Sequence, residues 1–149
     1  MDVEQLRLHI ARAFVDVIRP ARENITTHRC DECDELRDAL APYAWQDVPV
    51  NVLDDHRWDM TLLSDDAKQH YLPAWMLQAL DDGQWAGDYV WNLLFALNSD
   101  HRWAPARPYT KEQRQAVAHF LDFIEHRDLS EWEAQDVEKA RASLRERFP

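Results

Sequence analysis

The stretch THRCDEC, from Thr27 to Cys33, brings together residue types that can do chemistry. It contains His28 and both cysteines of the chain, Cys30 and Cys33. Zinc prefers thiolate and imidazole ligands in a tetrahedral arrangement, and two cysteines three residues apart are a common half of such a site. The second half must come from elsewhere in the chain, and His56 is the best remote candidate. The sequence thus predicts a zinc site formed by His28, Cys30, Cys33 and His56.

Two other interpretations of this cysteine pair remain open. Free cysteine behaves as a small apolar side chain, so both thiols could be reduced and packed in or near the core. The pair could also be redox active, because the N-terminus of a helix lowers the pKa of a cysteine. The acidic residues around the two cysteines oppose that effect, and no βαβ pattern supports a thioredoxin-like role.

Tryptophan is frequent, with seven residues in 149. Three of them lie in predicted helices and are expected to be buried between helices: Trp75, Trp85 and Trp91. Others lie in or beside connections, where a partly exposed ring either packs over a helix end or anchors a partner. The predicted partner-binding residues are Trp45, Trp58, Trp103, Asp54 and Asp55.

Negative charge is concentrated in the middle of the chain. Residues 31–100 carry fifteen acidic residues against three basic ones, a net charge of −12, whereas the whole chain has −11. Such a field repels phosphate backbones, so neither nucleic acid nor an anionic membrane is an expected partner. A basic protein or a cation would be attracted. The alternative is that the acids lie on a solvated face and keep the protein soluble.

The elements that must position these residues are predicted to be helices. The chain has two glycines, and no stretch alternates with the period of two that is typical of strands. Apolar residues recur at helical spacing from Leu6 to Ile18, and Ser64 and Thr110 look like N-caps. Ser130 would begin a last helix, and Pro73 predicts either a kink or the start of a new helix. The expected fold is an all-α bundle of six or seven helices.

Length and composition favour one soluble domain over residues 1–149. A chain of this length buries roughly 70% of the surface that its unfolded form exposes. Two cysteines do not make a disulfide framework, and the N-terminal segment lacks the pattern of a secretion signal. The longest apolar run, Tyr89 to Leu97, is about half as long as a membrane-spanning helix. We therefore expect a cytoplasmic protein.

No sequence motif of an enzyme stands out. Nucleophile elbows, glycine-rich phosphate loops and paired zincin histidines are absent from the sequence. His119, Asp122 and His126 resemble part of a helical metal site, but their spacing places them opposite the apolar face of their helix, pointing outward. The tetrapeptide DHRW occurs twice, at 55–58 and 100–103, which is too short to establish a repeat.

Three segments together resemble a family of short bacterial proteins catalogued as a domain of unknown function. They are ITTHRCDECDELRDAL, the later LLSDDAKQHYLPAWMLQAL with His56 a few residues before it, and TKEQRQAVAHFLDF. The resemblance covers roughly Ile10 to Phe123, and its most specific piece is the His-x-Cys-x-x-Cys-Asp-Glu run. It implies a helical domain of one piece and raises the interest of His28, Cys30, Cys33 and His56. It implies no activity.

Two functions follow as predictions. The first is a small acidic intracellular interaction protein that binds a basic partner, in the manner of immunity proteins or antitoxins. The second is a small zinc-binding domain, with the metal either structural or, with water in one position, acting in hydrolysis. The first is preferred, so the chain is expected to be an interaction protein rather than an enzyme.

Overall fold

The structure is a computed structural model that describes residues 1–81, 83–98, 107–127 and 131–147. Within these ranges the chain forms seven α-helices, and the one β-type pairing is an isolated antiparallel bridge between Thr26 and Leu63. The helices are α1 (Val3–Ala13), α2 (Asp31–Leu40), α3 (Val50–Asp55), α4 (Asp65–Leu80), α5 (Ala86–Leu97), α6 (Lys111–Glu125) and α7 (Glu131–Arg147). The predicted all-α fold of six or seven helices is confirmed.

Helix starts follow the capping residues that the sequence predicts. Ser64 Oγ accepts a hydrogen bond from the Ala67 backbone N–H at 3.1 Å and caps α4. Thr110 and Gln113 form the predicted capping box of α6, with side chain to backbone distances of 3.1 Å in both directions. Such caps satisfy backbone N–H groups that have no partner inside the helix. The predicted cap Ser130 lies outside the described residues.

The central helix is α4, which packs against α1 and α5. Its buried residues lie on all sides and include Tyr71 and Trp75, both fully buried. The helix continues through Pro73, so the alternative of a new helix beginning there is wrong. Proline removes one backbone hydrogen bond, but packing on every side stabilises α4 where local propensity alone would not.

A continuous hydrophobic cluster contains residues from all seven helices. One representative from each helix in chain order gives Leu6, Leu36, Leu53, Tyr71, Leu93, Val117 and Val137.

At the end of α4, Arg127 donates hydrogen bonds to the carbonyls of Ala79 and Leu80 at 2.7 and 3.2 Å. None of the described helices combines the length and apolar character needed to cross a membrane.

Candidate functional site

Both cysteines lie at the first turn of α2, on one helical turn as their spacing predicts. Cys30 is the N-cap residue, with extended backbone (φ −147°, ψ 169°), and its side chain is exposed. Cys30 Sγ accepts a hydrogen bond from the Cys33 backbone N–H at 3.4 Å. Cys33 is buried, with 1% of its surface exposed. The two thiols are therefore adjacent but differ in access to solvent.

The surroundings of Cys33 keep its thiol protonated at neutral pH. Burial raises the pKa of Cys33 to about 11, with further contributions from a hydrogen bond to the Cys30 side chain and from the charges of Asp34 and Glu32. A metal ligand must be a thiolate, so zinc binding by Cys33 would have to displace this proton.

The other two predicted zinc ligands lie on different elements. His28 is exposed in the loop before α2, and its backbone carbonyl accepts a hydrogen bond from Thr26 Oγ1 at 3.5 Å. His56 ends α3, and its Nδ1 lies 2.8 Å from a carboxylate oxygen of Asp59. Within the described ranges, no three His, Cys, Asp or Glu residues are placed so that they could hold a metal ion. The predicted ligands are not brought together as a zinc centre, and zinc binding stays a prediction.

A second candidate site is a cluster of rings formed by exposed Trp58 and Trp91 and half-buried Phe95, here called the aromatic surface. The Trp58 and Trp91 rings meet edge to face with centroids 5.4 Å apart, and Phe95 stacks on Trp91 at 5.0 Å. Trp58 is 44% exposed and Trp91 is 43% exposed. Large aromatic rings with this exposure are typical of surfaces that bind other proteins.

Next to the aromatic surface, the chain binds one of its own arginines on a tryptophan ring. The guanidinium carbon of Arg57 lies 3.8 Å from the centroid of the Trp85 ring. Arg57 Nε donates to a carboxylate oxygen of Asp88 at 2.8 Å, and Nη1 donates to the Asp54 carbonyl at 2.6 Å. A cation over an indole face is attracted by the negative charge density of the ring. Tryptophan and carboxylate together thus hold a guanidinium.

Acidic residues lie near these rings along the chain. Asp88 precedes Trp91 by three residues on α5, which places the two on neighbouring positions of one helix face. Asp59 follows Trp58 directly, and Asp55 is exposed at the end of α3. Asp54 accepts a hydrogen bond from the Tyr89 hydroxyl at 2.7 Å. A role of Asp54 and Asp55 in partner binding stays a prediction.

Buried polar side chains fix the backbone that carries Trp58. The amide of Asn92, on α5, donates to the Trp58 carbonyl at 3.0 Å and accepts from the Met60 backbone N–H at 3.2 Å. Trp75, on α4, donates from its indole N–H to the Arg57 carbonyl at 3.3 Å. Hydrogen bonds from buried side chains therefore fix the backbone next to the exposed ring of Trp58.

Several expectations for the tryptophans need correction. Trp45 is 6% exposed, and its indole N–H donates to the Phe14 carbonyl at 3.0 Å, so its ring belongs to the core and cannot anchor a partner. Trp85 and Trp91 were expected to be buried, but both are exposed. Because α5 packs against α4 and α7, the side carrying Trp91 and Phe95 faces outward. Trp103 lies outside the described residues.

The sequence also missed a histidine pair between α1 and α6. His9 Nδ1 and His119 Nδ1 are 3.2 Å apart, and the rings are tilted by 54°. Burial and the nearby His119 lower the pKa of His9. His119 is half-buried beside α1, whereas Asp122 and His126 on the same helix are exposed, so the predicted outward direction holds for those two residues. No sequence signal links residues 110 positions apart.

Comparisons with known proteins give a family but no function. A family profile described as a family of unknown function, DUF6714, matches residues 3–146. No curated protein and no solved structure matches the chain. The predicted resemblance to a family of unknown function is confirmed at this level, whereas its cysteine motif and bacterial origin stay predictions.

Proposed function

The chain belongs to DUF6714, a family of unknown function, and we propose that it is a small acidic interaction protein that binds a basic partner protein. The observation that carries this proposal is the arginine held between Trp85 and Asp88, next to the exposed rings of Trp58 and Trp91. The same chemistry, an indole face beside a carboxylate, is what a partner's arginine or lysine side chain would need.

The energy of such contacts is sufficient for a binding site. A cation over an aromatic ring contributes about 0.5–1 kcal/mol when exposed and about 2 kcal/mol when water is excluded. Tryptophan is among the residues that dominate protein interfaces, where truncation of one central ring commonly costs about 2 kcal/mol or more. The aromatic surface offers two indole rings with a rigid backbone beneath them, so little conformational entropy is lost on binding.

The negative charge of this protein predicts that its partner is basic. Residues 31–100 contain the aromatic surface and carry a net charge of −12. A field of this sign accelerates the approach of a basic protein and makes association sensitive to salt. The most specific form of the proposal is an immunity- or antitoxin-like role, in which this acidic protein covers a basic effector. That form is supported by the charge and the aromatic surface alone.

We predict that Trp91→Ala weakens partner binding at least about tenfold, the equivalent of about 1.4 kcal/mol. Proteins retained from a lysate by the wild-type chain are identified by mass spectrometry, then purified and titrated against each variant by calorimetry at two salt concentrations. Leu8→Ala is the matched control, because Leu8 is an exposed apolar residue on α1. It should bind like the wild type.

The result that supports the proposal is a basic partner whose affinity falls with salt and falls further in Trp91→Ala. A partner that is acidic, or one that binds Trp91→Ala and Trp58→Ala as tightly as the wild type, would contradict it. Thermal unfolding of each variant separates a lost contact from a lost fold.

A further inference from the structure

The cysteine pair at the start of α2 is not part of the aromatic surface, and its geometry suits another chemistry. We propose that Cys30 and Cys33 form a reversible dithiol–disulfide pair, in which exposed Cys30 exchanges with a small-molecule disulfide and buried Cys33 resolves the mixed disulfide. This inference does not depend on the proposed function, since it uses different residues on a different helix.

The two thiols differ in their access to solvent. Both cysteines are free, Cys30 exposed and Cys33 buried. A disulfide such as glutathione disulfide can therefore reach Cys30 and cannot reach Cys33 directly. An exposed attacking thiol beside a protected resolving thiol is the division of labour that dithiol exchange requires.

The two cysteines are also in contact with each other. Cys30 Sγ already accepts the Cys33 backbone N–H at 3.4 Å, and the Cys33 thiol hydrogen-bonds the Cys30 side chain. The same N–H is available to stabilise a negative charge on Cys30 Sγ, since hydrogen bonds to an ionised acceptor are stronger than those to a neutral one. The two cysteines thus lie within one turn of helix, with Cys30 Sγ 3.4 Å from the Cys33 backbone nitrogen.

The reaction balances with a low-molecular-weight disulfide as the oxidant. The Cys30 thiolate attacks one sulfur of glutathione disulfide, so a mixed disulfide forms and one glutathione thiolate leaves. Cys33 then loses its proton to solvent and attacks Cys30 Sγ, which forms the Cys30–Cys33 disulfide and releases the second glutathione. Two protein thiols are oxidised and one glutathione disulfide is reduced to two thiols.

The test uses the full chain, purified reduced and without a metal-affinity tag, in buffers of reduced and oxidised glutathione. After acid quenching and alkylation with a maleimide, intact mass identifies each species. The wild type should lose two hydrogens and take up no maleimide. Cys33→Ser should accumulate one glutathione on Cys30, and Cys30→Ser should react at least about tenfold more slowly, because Cys33 is shielded.

Each alternative gives a different result. A wild-type chain that keeps a stable glutathione adduct without forming the internal disulfide would overturn the proposal. Stoichiometric zinc with both thiols protected would also overturn it, and would assign the pair to a metal site instead. Circular dichroism confirms that each variant is folded, and Leu8→Ala should react like the wild type, because Leu8 is an exposed residue on α1.

Discussion

Replacing His70 by glutamine should remove most of the pH dependence of stability between pH 7.5 and 5. In this range the wild-type free energy of unfolding is expected to fall by about 2 kcal/mol as the pH is lowered. The variant should lose less than half of that amount. The cause is a histidine that folding keeps neutral, as its hydrogen bonds and burial indicate.

His70 is 2% exposed on α4, and its Nε2 accepts a hydrogen bond from the Trp45 backbone N–H at 3.1 Å. The proton of the neutral ring is therefore on Nδ1, near the backbone of Val17 and Ile18. The nearby backbone of Val17 and Ile18 favours the charged ring and so raises the pKa of His70. Burial has the larger and opposite effect, and it lowers this pKa to about 4. A second proton would have to sit on Nε2, facing the N–H of Trp45, where two donors would oppose each other.

The direction of this pH dependence follows from the pKa values of His70 in the folded and in the unfolded chain. The unfolded chain takes up a proton on this histidine near pH 6.5, whereas the folded chain does so near pH 4. Stability from neutral His70 is therefore complete above pH 6.5 and is lost as the pH falls from 6.5 towards 4. The full loss corresponds to about 3 kcal/mol, and about two thirds of it appears by pH 5, where most carboxylates are still ionised.

Urea unfolding at half-unit steps of pH measures this effect. Glutamine is chosen because its side-chain oxygen can replace Nε2 as the acceptor for the Trp45 N–H. His28→Gln is the control, since His28 is exposed in a loop and its loss should leave the slope of the wild type unchanged. An equal slope in the wild type and in His70→Gln would show that His70 titrates normally in the folded protein.

The sequence revealed the helices because their signals are local. Ser64 and Thr110 mark helix starts through side chains that reach only three residues ahead, and these caps are where the sequence predicts them. Apolar spacing likewise identifies a helix and its buried face. Neither the caps nor the apolar spacing predicts which helix lies at the centre of the bundle. The longest apolar run, Tyr89 to Leu97, belongs to α5, yet α4 is the enclosed helix and α5 exposes Trp91.

The sequence predicted the candidate sites only in part, because the contacts that form them are not local. The thiols of Cys30 and Cys33 share a turn, as their spacing predicts, but exposure of one and burial of the other depends on what packs against α2. The contact of Trp58 with Trp91 joins residues 33 positions apart and has no local signature. Charge counts located the acidic segment, but they could not show that Arg57 lies on Trp85 within it.

Replacing Asn92 by leucine should lower the free energy of unfolding by about 2–5 kcal/mol. Asn92 is the polar residue in the apolar run of α5 and is 2% exposed. Its amide satisfies the Met60 N–H and the Trp58 carbonyl. Leucine fills the space and keeps the helix, but it leaves a buried donor and a buried acceptor without partners. Each such group costs about 1–3 kcal/mol when water cannot reach it.

The neighbouring residue supplies the matched control. Trp91→Ala alters the larger side chain of the same helix, yet it should cost about 1 kcal/mol or less, because that ring is exposed. Urea unfolding followed by circular dichroism compares the two variants without relying on tryptophan fluorescence. If Asn92→Leu were as stable as the wild type, the two hydrogen bonds would not be what holds the Trp58 backbone.

The two substitutions should also separate stability from binding. Trp91→Ala removes a ring that a partner would touch and leaves the Asn92 hydrogen bonds in place, so it should weaken binding more than folding. Asn92→Leu leaves every exposed ring in place but releases the backbone beneath Trp58, so it should weaken folding first and binding as a consequence. If the aromatic surface binds because it is preorganised, Asn92→Leu will bind less tightly even at temperatures where it is fully folded.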